Sequence, residues 1–163
     1  RADQITAENY TDKRKYLALI AHNNMKESLM EFCGIHTNKL EKFPLIATGT
    51  TGSMLYKKTG LCLSQKVASG PLGGDQAVGT LISTQNICGV IFFRDPLSAH
   101  PHHADIEALG RLCDVYQVPF ATNPQSGEAI LDYLLSGKAG NELIPNQVLQ
   151  AYIQGQKRVV EAG

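Results

Sequence analysis

Five short runs punctuate this chain, at 16–21, 44–48, 62–66, 89–93 and 119–122, and most are apolar with β-branched or aromatic content. Between them lie longer stretches whose apolar residues recur every three or four positions, predicting helices over 25–33, 52–58, 75–83, 104–116, 126–136 and 146–160. A strand that is apolar at successive positions must be covered on both faces, and a parallel sheet between two helical layers supplies that cover. The pattern therefore predicts one doubly wound α/β domain over residues 16–163, with a mainly parallel five-stranded sheet of flavodoxin-like type, after a polar extension over 1–15.

At 163 residues the chain can bury a core of ordinary size without disulfides or metals. Fifteen basic residues balance fifteen acidic ones, so the dense positive field that nucleic-acid binding needs is missing and no nucleic-acid partner is expected. Cys33, Cys62, Cys88 and Cys113 are widely spaced and lie in or beside apolar sequence, which reads as reduced core thiols in a cytoplasmic protein. No stretch approaches the roughly twenty apolar residues of a membrane span, and the start is polar, so neither a membrane partner nor secretion is expected.

In an open parallel sheet, ligands bind beyond the carboxyl ends of the strands, where helix N-termini present unpaired amides. The junctions after the runs are accordingly the informative segments. Thr48, Gly49, Thr50, Thr51 and Gly52 offer hydroxyls and bare amides suited to an anion, although a plain turn with a helix cap has the same composition. Ser69 to Asp75 holds three glycines in five positions, an entropic expense that implies a close approach to this backbone. Asp75 ends that loop. An aspartate there most often caps the helix; the alternative is a general base over a bound ligand. His22 and Lys26 are four residues apart and share a face if a helix begins at His22.

Between Asp95 and Asp105 stand three histidines, His100, His102 and His103. Their spacing matches no standard zinc or iron pattern, and Pro96 and Pro101 impose an irregular loop in which only one or two histidines can face inward. Acid–base and hydrogen-bonding roles are expected there, and no metal.

Taken together, the junctions resemble methylglyoxal synthases. The matching residues are His22 with Lys26, the 47–52 segment, Ser69 through Gln76, Ile91 through Leu97, Pro101 with His102, Asp105, and Pro119 through Asn123. The resemblance implies conversion of dihydroxyacetone phosphate to methylglyoxal and inorganic phosphate, without metal or organic cofactor, by a homo-oligomer that is commonly a hexamer. It implies that Asp75 is the base and that Asp95, His102, Asp105 and His22 surround the reacting carbons. It also implies a phosphate cradle of Lys26, Thr48, Gly49, Thr50, Thr51, Ser69 and Gly70.

Two departures stand out. The family often has Asp directly after the first histidine, where this chain has Asn23, which can hydrogen-bond but cannot take up a proton. The family's C-terminal arginine has no clear counterpart, because the tail diverges around Gln154 and offers only Lys157 and Arg158. The same fold also serves as a non-catalytic regulatory module, as in carbamoyl-phosphate synthetase. Such a module needs the cradle but not Asp75, Asp95, Asp105 and His102, so their presence together favours an enzyme.

Overall fold

The computed structural model describes residues 16–138 and 146–162. Five strands form one sheet: β1 (Tyr16–Ala21), β2 (Leu45–Thr48), β3 (Gln65–Val67), β4 (Ile87–Phe93) and β5 (Phe120–Ala121). Every pairing is parallel and the order is β3-β2-β1-β4-β5. The helices are α1 (Lys26–Ile35), α2 (Thr37–Leu40), α3 (Thr51–Thr59), α4 (Gly74–Ser83), α5 (His103–Tyr116), α6 (Pro124–Leu135) and α7 (Gln147–Ala162). The expected doubly wound fold is present. Its strand order is 3-2-1-4-5 and not the 2-1-3-4-5 of flavodoxin, which places β1 at the centre.

The two-residue period of β1 separates two cores. Leu17, Leu19 and Ala21 pack with Leu29, Phe32 and Cys33 of α1, Leu55 of α3 and Leu131 of α6. Ala18 and Ile20 point the other way, to Val78 and Ile82 of α4 and Ile106, Leu109 and Cys113 of α5. Both faces of the strand are dry, as a continuous apolar run requires. Local signals set several helix ends. Asn123 and Ser126 form a reciprocal capping box ahead of α6, and Gly60 closes α3 in the left-handed conformation.

Most predicted elements agree with the observed ones to within about two residues. The third strand is the exception, lying at Gln65–Val67 and not 62–66. Leu61, just ahead of that stretch, and Leu63 within it pack into the core from a connection, while the strand is a polar edge with exposed Gln65 and Lys66. Helix α2 was not anticipated, because it is a single turn anchored by one buried residue, Leu40, and one apolar position makes no period. Cys33 and Cys113 are buried, and burial pushes each thiol up to about 12. Cys62 is exposed, contrary to its reading as a core thiol, because it lies in the connection ahead of the edge strand. Among the described residues, no helix is long and apolar enough to cross a membrane.

The chain leaves β1 toward β2 and β3, then crosses back through α4 to β4 on the other side of β1. The carboxyl ends of β1 and β4 therefore flank the point where the winding reverses, which is where such sheets open a crevice.

Candidate functional site

A cavity of about 420 Å³ lies in that crevice. Of the candidate residues, it is lined by His22, Lys26, Thr48, Gly49, Ser69, Gly70, Asp75, Asp95 and His102. Exposed Thr50 and buried Thr51 follow Gly49 but are not in the lining, and Asp105 sits half-buried on the first turn of α5, also outside the lining.

Asp75 enters from α4. The cap of that helix is Gly73, at φ +104°, and no side chain caps it. Gly74 then passes so close to the chain that a Cβ on it would lie 2.1 Å from the Ala68 carbonyl oxygen. This turn delivers Asp75 to the second helical position with its side chain 1 % exposed. The capping role is thus not used. The carboxylate turns instead to His102, whose Nδ1 is 2.6 Å from Oδ2, because Gly73 and not Asp75 occupies the capping position. The other oxygen, Oδ1, is buried without a partner. Gly70 makes room for the pair: a Cβ there would stand 2.8 Å from His102 Cε1 and 3.2 Å from Asp75 Oδ1.

His22 continues the β1 ladder by donating its backbone N–H to the Phe93 carbonyl at 3.2 Å. It is extended, and a 3-10 turn, Asn23–Met25, intervenes before α1. The helix therefore does not begin at His22, although His22 and Lys26 both reach the cavity. His22 Nδ1 accepts the Asp95 backbone N–H at 2.9 Å, so the neutral ring carries its proton on Nε2. That Nε2 is buried without a partner. Burial first, then the charges of His100, His102 and Arg94, push His22 from 6.5 down to about 4, with Asp95 opposing. At neutral pH His22 is an uncharged donor.

The Asp95 carboxylate accepts from Ser98 Oγ at 2.7 Å, Asn24 Nδ2 at 2.9 Å and the Leu97 N–H at 3.2 Å. These bonds, in that order, hold its carboxyl below the ordinary value. With both oxygens engaged, Asp95 organises its loop and aims its own amide at His22.

One side of the cavity is built on the start of α3, whose first-turn amides have no intrahelical acceptor and could meet an anion. Thr48 and Thr51 are buried there, and Lys26 Nζ donates to Thr50 Oγ1 at 2.9 Å, which holds the ammonium at the rim. Ser69 lies against this turn, where a Cβ on Gly49 would stand 3.1 Å from Ser69 Cβ, and with Gly70 it lines the cavity. One cavity thus joins hydroxyls, backbone amides and an ammonium at the rim to a buried carboxylate.

The family model described as the MGS-like domain matches residues 28–122. The chain belongs to the methylglyoxal synthase family. It is 44% identical over 123 residues to the methylglyoxal synthase of Thermus thermophilus, covering 76% of this chain and 97% of the relative. It is 50% identical over 122 residues to that of Clostridioides difficile, covering 75% and 88%. The crystal structure of methylglyoxal synthase from Elizabethkingia anophelis superposes with a TM-score of 0.67 at 44% identity, covering 73% of this chain and 78% of that one.

Against that family background, Asn23 lines the cavity and is solvent-exposed. Lys157 and Arg158 are exposed on α7 and do not line the cavity. Sequence reasoning missed Asn24 and Ser98, and it did not single out His100 among the loop histidines. The first two hold Asp95, and His100 stacks on His22 with ring centroids 3.6 Å apart. The polar composition of the loop signals such bonds without saying which residues make them. As expected, two loop histidines, His100 and His102, face inward, while His103 is exposed beside Glu107. Ring nitrogens of His22, His100 and His102 lie within 4.8 Å of one another, a separation compatible with a metal. The ring geometry does not fit one. His22 Nε2 carries its proton, and near-parallel rings at 25° cannot aim two in-plane lone pairs at one ion about 2 Å away.

Proposed function

We propose that this chain converts dihydroxyacetone phosphate to methylglyoxal and inorganic phosphate. The observation that carries the reading is the unpartnered Oδ1 of buried Asp75, sharing one cavity with the anion cradle. The substrate phosphate sits at the α3 N-terminus, held by Lys26, Thr48 and Ser69, with Thr50 and Thr51 supporting the turn. His102 donates to Asp75 Oδ2, which orients the carboxylate and leaves Oδ1 to take a proton from the hydroxymethyl carbon.

The electron pair left behind forms an enediolate whose charge develops on the former carbonyl oxygen. A neutral His22 Nε2–H stabilises that oxygen without first surrendering a proton to solvent. As the hydroxyl of the deprotonated carbon loses its proton and becomes an aldehyde, the C=C pair shifts toward the carbon bearing phosphate. The C–O bond there breaks and phosphate departs into the cradle. The remaining enolate takes a proton at its methylene carbon and becomes methylglyoxal. Enclosure keeps water from intercepting the enediolate. No step calls on a metal or organic cofactor, and Asp105 has no assigned role in this scheme.

The family resemblance supports a cytoplasmic protein that works as a homo-oligomer, a hexamer in the commonest arrangement. The exposed apolar side chains of Val148, Tyr152, Val159 and Val160 on α7 support association, and light scattering of the purified protein measures it. The deciding experiment supplies dihydroxyacetone phosphate to the purified chain and measures both products. Equimolar methylglyoxal and phosphate are expected. Phosphate binding without turnover overturns the reading in favour of a regulatory module.

A further inference from the structure

The mechanism above makes no use of His100, yet the loop between β4 and α5 turns it into the cavity. Its ring lies on the face of His22, with centroids 3.6 Å apart and planes 25° from parallel, and its Nε2 is buried without a partner. The other ring contacts of His22 are edge-on, Phe92 at 5.1 Å and His102 at 5.7 Å. The bond from the Asp95 amide holds one ring atom of His22 but leaves the ring able to swing about that bond. A flat surface against its face removes the swing.

We propose that His100 is a positioning residue that acts through His22: the stacked ring fixes the plane of the His22 imidazole and, being ionisable itself, keeps positive charge off it. This inference rests on reading His22 as the donor to the developing oxyanion. A swing of the ring displaces Nε2–H from the oxygen it must meet, and misplacement by about 1 Å is costly to the reaction. Charge matters for a separate reason. Two cations at stacking distance repel, so a protonated His100 opposes protonation of His22. The charged and titratable groups around His22 are Arg94 and Asp95 at the end of β4, His100 and His102 from the loop, Asp75 of α4 bonded to His102, and Lys26, which lines the same cavity. Among those that depress His22, His100 acts most strongly after burial itself.

Two substitutions separate the ring from its charge. His100→Phe keeps a flat ring without a titrating group, and His100→Gln keeps neither. The His22 imidazole is titrated by nitrogen NMR in the native chain and both variants, beside pH profiles of kcat and kcat/KM on dihydroxyacetone phosphate. The expected result is a His22 midpoint raised by about half a unit or more in both variants. On the plateau, kcat falls about tenfold in the Gln variant with little change in KM, and the Phe variant recovers most of it. A His22 midpoint unchanged in both variants overturns the proposal, as does a Phe variant as slow as the Gln variant. A native chain with no turnover counts against the proposed function, while the midpoint, which needs no turnover, still decides whether His100 keeps charge from His22.

Discussion

Replacing Asp75 with asparagine changes one atom and one charge in a side chain that is 1 % exposed. The amide has nearly the same shape, so the packing around Gly70 and His102 survives and a hydrogen bond to His102 Nδ1 remains available. The cost in stability is about 1 kcal/mol, from a weakened bond and the loss of a first-turn carboxylate on α4. The cost in rate is much larger, because a positioned general base contributes about 10²- to 10⁴-fold, or roughly 3–5 kcal/mol. We therefore expect Asp75→Asn to lower kcat by at least about 100-fold. Phosphate affinity should stay close to native, because the cradle is built by other residues. Initial rates of methylglyoxal release and calorimetric titration with phosphate test the two halves separately. An Asn variant within about tenfold of the native kcat would show that Asp75 is not the base. Parallel loss of phosphate binding would show that the carboxylate organises the cradle instead.

Gly74→Ala places a Cβ 2.1 Å from a backbone oxygen that cannot step aside, and should destabilise the fold by about 3 kcal/mol or more in a denaturant titration. Gly34→Ala, in open space on α1, should raise stability by about 0.5–1 kcal/mol in the same assay. His22 has a folded-state value near 4 against an ordinary 6.5, so below pH 6.5 the unfolded chain binds the extra proton and stability falls as pH drops toward 4. That loss is on the order of 3 kcal/mol, and melting curves of His22→Gln should be flatter over the same window. Lys26→Met should weaken phosphate binding by about 1.5–3 kcal/mol, as expected for a charged hydrogen bond. Thr50→Val should cost less, since its hydroxyl is exposed and already accepts from Lys26; equal losses would contradict this assignment.

Strand identity was legible because β1 and β4 are apolar on both faces, a pattern that few folds accommodate. The strand order was not, since it depends on which side of β1 the crossover after β3 lands, and residues of both orders would look alike. The junctions that line the cavity, Asp75 included, could be read from glycine and threonine positions, because backbone approach leaves a mark on composition. Asp75's contact could not: an aspartate there most often caps the helix, and this one instead meets His102, 27 residues away.

The chain's own order of residues thus determined the layered α/β fold, the sheet edge that carries chemistry and most of the residues lining the cavity, since these follow from local periodicity and turn chemistry. The tertiary structure alone decided that Asp95 is spent on its own loop, that Asp105 stays outside the lining and that His100 lies against His22. The His22–His100 stack and the bonds that tie Asp95 to Asn24 and His22 join segments about 70 residues or more apart, and no local spacing encodes such a meeting.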